Sequence, residues 1–180
     1  MSVSAEADTY LDRWQPTTNY DTAGRLSVRA ADVYVPLLSF DLSALPTGAI
    51  VQKAEMKLYA YAKTNVGPMK VAVFQMRRPW DAAQATWLQA DAGTPWEIPG
   101  ANGPTDRSAT PVAAQWLTSV RQWYTFDITS IAQNWANGVT NAGVAIRYVD
   151  GDVMVAYNFI PSNYPNVMLR PVLTIEYISP

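Results

Sequence analysis

The sequence predicts an all-β fold, a sandwich or barrel, on three observations. Most of the chain falls into short runs in which apolar and polar residues alternate with period two, the signature of half-buried strands. Pro, Gly, Asn and Asp separate these runs, a rhythm of strand and turn rather than of βαβ units. Hydrophobic residues make up 49% of the 180 positions and charged residues only 16%, enough apolar material for one buried core in a single domain spanning 1–180.

The runs place strands at Thr9–Asp12, Arg25–Arg29, Val33–Asp41, Ile50–Tyr61, Met69–Met76, Trp123–Ile128, Gly143–Tyr148, Val153–Phe159 and Leu169–Ile178. In "VQKAEMKLYAYA", Ala54, Met56, Leu58 and Ala60 alternate with Glu55, Lys57, Tyr59 and Tyr61, so one face is dry and the other is wet but aromatic. "WDAAQATWLQADAGTPWEIPGANGPTDR", Trp80 to Arg107, has neither period. A loop of that length needs large apolar anchors to offset its entropy, so Trp80, Trp87 and Trp96 are read as clamps that pin it to the sandwich. "FDITSIAQNWANG" predicts one short helix over about 129–137, with Asp127 or Thr129 as N-cap, Ile131 and Trp135 on one face, and Gly138 as the stop. In "YVDGDVMV" the Asp150-Gly151 pair predicts a hairpin turn. In the last run Leu173, Ile175 and Tyr177 point inward.

Charge and composition exclude several functions. Thirteen basic and fifteen acidic residues are well mixed, so no basic field is available for nucleic acid or an anionic membrane. The chain has no Cys and no His, which removes thiolate metal sites, cysteine nucleophiles and the commonest general base. "MSVSAEADTY" has neither a basic n-region nor an apolar h-region, so no signal peptide is read in this chain and no membrane insertion is expected.

Several segments in chain order carry a family resemblance: "ADTYL", "TTNYDTAGRLSVR", "LLSFDLSALPTGAIVQKAEMKLYAY", "VAVFQMRRPWDAAQATW", "GTPWEIPGANGPTDR", "WYTFDITSIAQNWANGVTNAGVAI" and "NFIPSNYPNVMLRPVLTIEY". Together they resemble the DNRLRE-type extracellular domain family, which overlaps carbohydrate-binding modules assigned to family 96 and disaggregatase-related modules. The resemblance implies a jelly-roll β-sandwich of two antiparallel sheets, in extracellular or cell-surface proteins that bind or degrade polysaccharide. Acidic polymers such as alginate are among the ligands it implies. The function expected is a non-catalytic carbohydrate-binding module. The alternative is a structural or assembly subunit, such as a surface filament, a spike or a decoration protein on a virion surface, in which "VSAEADTYL" donates a strand to a self-assembly partner.

Ligand contacts are expected not from the loop tryptophans but from other aromatics and cations: Trp14, Tyr59, Tyr61 and Trp116, with Arg77 and Arg78. Tyr59 and Tyr61 share a strand face about 7 Å apart, and a guanidinium can grip a uronate carboxylate bidentately. No cofactor is expected. Asp8, Asp12, Asp150 and Asp152 are the candidates for a Ca²⁺ site, but no D-x-D-x-D loop is present and they are read as turn residues. Asp41 and Asp127 lie in F-D-[LI]-[ST] elements that read as caps rather than as a glycosidase pair. No residue is read as catalytic. Lys57 falls on the wet face of its strand, whereas an autocatalytic isopeptide bond needs a desolvated amine.

Overall fold

The computed structural model describes residues Met1–Pro180. Its strands are β1 (Ser2–Asp12), β2 (Leu26–Arg29), β3 (Tyr34–Phe40), β4 (Ile50–Lys63), β5 (Met69–Gln75), β6 (Gln89–Asp91), β7 (Thr94–Pro95), β8 (Ala113–Leu117), β9 (Gln122–Asp127), β10 (Val144–Gly151), β11 (Ala156–Phe159) and β12 (Val172–Ile178). One helix, α1 (Thr129–Ala136), follows β9. Ten strands form one antiparallel sheet, nine along the path β1-β12-β4-β11-β2-β3-β10-β5-β8 and the tenth, β9, on the other side of β4; β6 and β7 form a separate pair. β1 joins the two layers of the all-β sandwich. Its first residues pair with β12, and after a bulge between Ala5 and Ala7 it pairs with β3 as far as Asp12.

The layers meet in a core of 32 buried residues that includes Met56 and Leu58 of β4, Val71 and Val73 of β5, Phe126 of β9, Ile146 of β10, and Leu173 and Ile175 of β12. The alternation read in β4 is observed: Ala54, Met56, Leu58 and Ala60 are fully buried, and Lys57, Tyr59 and Tyr61 are half-buried on the outer face. α1 plugs the sandwich with Ile131 and Trp135, and Gly138 follows it at φ +90°. Asp127 Oδ1 accepts from Thr129 N at 2.9 Å and from Thr129 Oγ1 at 2.6 Å, and Thr129 Oγ1 accepts from Ala54 N at 2.9 Å. These bonds tie the start of the helix to β4.

Three local readings differ from the structure. β10 runs through Asp150 and Gly151, which pair with Lys70 and Met69 of β5, and β11 pairs with β2 and β4 instead of β10. The Asp-Gly pair is therefore not a hairpin turn. Gly151, at φ +109°, lies so close to β5 that a Cβ would stand 2.6 Å from Pro68 O. The segment read as a strand donor is most of β1, already paired within this chain. The edge strand β8, "AAQWL", has no clear apolar alternation and escaped the sequence reading.

The long loop forms a second apolar layer. Leu11, Val35, Leu37 and Ala145, on the outward faces of β1, β3 and β10, pack with Ala85, Ala90, Trp96 and Ala101; Trp80 and Trp87 lie against this cluster. Trp96 is buried and its Nε1 donates to Thr86 O at 2.9 Å, while Trp80 Nε1 donates to Ala142 O at 2.9 Å. At the loop's end, the fully buried Asp106 accepts from Arg78 Nε at 2.7 Å, Glu97 N at 3.0 Å, Ile98 N at 3.2 Å and Gly103 N at 2.9 Å. Burial pushes its carboxyl pKa up, but these donors outweigh burial and hold it below the ordinary carboxylate value.

Asp106→Ala strands those four donors and is expected to cost on the order of 3–5 kcal/mol, the range for breaking a buried ion pair. Chemical denaturation measures the loss, and limited proteolysis should begin to cut between Asp81 and Thr105. A variant as stable and protease-resistant as the parent would contradict the role given to Asp106.

Asp8 on β1 is 3% exposed and accepts from Ser162 N at 2.6 Å. Burial, only partly opposed by the Ser162 bond, pushes its carboxyl from 3.8 up to about 6. Between those values the folded state holds a proton that the unfolded chain releases. Asp8 thus favours the fold most below pH 3.8, and that contribution is lost as pH rises through about 6. Asp8→Asn is expected to stabilise the protein at pH 7 by on the order of 2 kcal/mol and to remove the decline across that window. Urea denaturation over a pH series checks this, and an unchanged pH slope would refute it.

Candidate functional site

The outer face of β4 carries Lys57, Tyr59 and Tyr61 at alternate positions, about 7 Å apart. Lys57 opens into a groove of about 510 Å³, which Trp123, Val167, Met168 and Arg170 also line. No carboxylate lines it. The protein's side-chain ion pairs are Lys53–Glu55, Arg78–Asp106 and Arg147–Asp32, so Lys57 and Arg170 have no acidic partner. Arg170 donates Nε to Tyr164 O at 2.7 Å, which orients the guanidinium and leaves its terminal nitrogens available. Trp123 of β9 stands directly across from Tyr59, with ring centroids 5.3 Å apart at 70°. This edge-to-face pair supplies an aromatic wall beside the groove.

Tyr61 faces a second groove of about 410 Å³, shared with Tyr10, Tyr20 and Arg25. β11 pairs Phe159 with Ala60 and Asn158 with Ala62, so Tyr61 is the extra residue of a bulge, a device that re-aims a side chain. Tyr20 stacks on Tyr10 at 4.2 Å, and its hydroxyl donates to Asp12 Oδ2 at 2.8 Å. Burial and the Asp12 carboxylate together push the Tyr20 hydroxyl pKa up. Asp12 Oδ1 accepts from Trp14 N at 2.8 Å, so one carboxylate orders both the Trp14 turn and the tyrosine stack. Arg25 reaches the Tyr10 hydroxyl at 3.2 Å, and Arg29 stands 4.7 Å over the Trp14 ring. Neither arginine has a carboxylate partner.

β4 thus links two grooves into one cationic and aromatic strip. Of the residues singled out in the sequence, Tyr59 and Tyr61 lie on it and Trp14, 58% exposed, stands at its end. Arg77 and Arg78 lie elsewhere and hold the long loop: Arg77 donates to Pro104 O at 2.9 Å and Arg78 pairs with Asp106. Trp116 is on the edge strand β8 of the other layer, packed near Gly151. The strip also contains Lys57, Trp123, Arg170, Arg25 and Arg29, which the sequence reading did not select. Lys57 was legible, because it shares strand parity with both tyrosines. Trp123 comes into place only through strand register, and Arg170 only through the turn that precedes β12.

The carboxylates considered for metal or catalysis are engaged by donors of the protein itself. Asp41 accepts from Ser43 N, Asp150 from Gly151 N and Asp152 from Met154 N, while Asp8, Asp12 and Asp127 are engaged as described. No group of three or more acidic side chains converges on a metal-sized site. No helix is long and apolar enough to cross a membrane.

Comparison with known proteins gives one family: a model described as carbohydrate-binding module family 96 matches residues 1–177. No curated protein sequence matches the chain.

Proposed function

Because the chain belongs to carbohydrate-binding module family 96, we propose that it is a non-catalytic module of an extracellular or cell-surface protein and binds an acidic polysaccharide along the outer face of β4. The observation that carries this reading is the set of cations without acidic partners beside open aromatic rings: Lys57 and Arg170 beside Trp123 and Tyr59, and Arg25 and Arg29 beside Tyr61 and Trp14. Sugar rings present C–H faces that pack on Trp and Tyr, and uronate carboxylates take ammonium and guanidinium donors. Lys57 and Tyr61 are four residues apart, about 13 Å along the strand. That length suits a polymer lying across several subsites better than a single small ligand. Glycoside hydrolysis by the usual route needs a pair of carboxylic acids flanking the bond; neither groove of the strip has one in its lining.

Affinity electrophoresis in gels containing alginate or a neutral glucan tests the proposal. Alginate is expected to retard the protein, and less so as salt screens the charges. Lys57→Glu and Trp123→Ala should each weaken retention about tenfold, equivalent to about 1.4 kcal/mol. Retention by neutral glucan alone, or alginate retention that Lys57→Glu leaves intact, would reject the acidic-polymer reading.

A further inference from the structure

The opposite outer face of the sandwich holds a pocket that the β4 strip does not use. It has a volume of about 360 Å³ and lies between the long loop and the turn that follows β2, lined by Arg13, Asp32, Trp87, Ile98, Asn102 and Arg147. We infer that this pocket is a second binding site, for one hydroxyl-rich ring such as a single sugar unit.

The backbone there is held in a costly shape. Ala31 and Asp32 are successive non-glycine residues at φ +57° and +53°, a conformation Ala rarely adopts. The turn presents Asp32 to Arg147, which is 3% exposed. Arg147 Nη2 donates to Asp32 Oδ2 at 2.8 Å, and Nη1 donates to Gly100 O in the long loop at 2.8 Å. Asp32 Oδ1 is buried with no partner. Aspartate χ2 is soft, so a small rotation offers Oδ1 to a hydroxyl in the pocket while Arg147 keeps Oδ2.

The remaining groups complement that acceptor. Trp87 packs against Gly100 so closely that no Cβ fits there. Unlike Trp80 and Trp96, it makes no indole hydrogen bond to the protein, and it remains half-buried. Asn102 Oδ1 accepts from Arg107 at 2.6 Å, which fixes the amide and leaves its NH₂ free to donate. A ring hydroxyl can donate to Asp32 while others accept from Asn102, Arg13 or Trp87, and Ile98 and the indole supply apolar contact. Asp32 and Arg147 pair with each other, so the free charge in the lining is that of Arg13. The site therefore takes ring hydroxyls through Asp32 and Asn102, where the β4 strip takes carboxylates through its cations.

The test uses the full chain labelled with ¹⁵N and titrated with methyl glycosides of neutral hexoses. The indole N–H of Trp87 and the side-chain NH₂ of Asn102 are expected to shift together, with a Kd on the order of 1 mM. Asn102→Ala and Arg13→Ala, both at exposed positions, should weaken binding about tenfold, equivalent to about 1.4 kcal/mol. Asp32→Asn should do the same, and its spectrum reports directly whether the fold survives. If no methyl glycoside shifts these resonances well above that concentration, or if Asn102→Ala and Arg13→Ala leave the titration unchanged, the inference is overturned. Alginate retention of the parent protein is measured in parallel, and its loss bears on the β4 strip alone.

Discussion

The alternation of side chains along β4 is the constraint on which the rest of the structure depends. Ala54, Met56, Leu58 and Ala60 must be buried, and a one-residue slip would send all four into solvent. That requirement fixes β4 against β12 and β11 on one side and β9 on the other. The same alternation sends Lys57, Tyr59 and Tyr61 outward. Core and candidate site are thus two faces of one strand, and the packing that stabilises the fold also holds the site residues in place.

The outer faces of the two layers meet different ends. On the layer of β1, β3 and β10, the outward residues are apolar and the loop from Trp80 to Arg107 covers them. On the layer containing β4 they are aromatic and cationic, and they stay open in two grooves. Covering the first face demands internal order from a segment with little regular structure. Asp106 provides it by collecting three backbone N–H groups and the Arg78 guanidinium on one buried carboxylate. Arg78 attracts notice in the sequence as a cation able to grip a uronate, yet its Nε is directed inward to that carboxylate. A buried pair of this kind specifies a loop conformation more than it adds net stability.

The candidate site was only partly legible because its members reach it by different routes. Tyr59, Tyr61 and Lys57 follow from parity along one strand. Trp123 joins through the β4–β9 register, Arg25 and Arg29 through the pairing of β2 with β11, and Arg170 through the turn that precedes β12. No local pattern encodes those meetings. The bulge that turns Tyr61 toward Arg25 is likewise a property of two strands, not of the sequence around Tyr61.

The strand-rich class, most strand positions, the helix near Thr129 and the anchoring role of the loop tryptophans are all written in local sequence. Each of these rests on side-chain direction or turn chemistry within a few residues. Tertiary structure alone decided that Asp150-Gly151 continues a strand instead of reversing it, that β1 serves both layers, and which cations stand beside which aromatic rings. Pairing partners are chosen by burial summed over segments far apart in the chain. Period two tells a strand which face to hide, but not against whom.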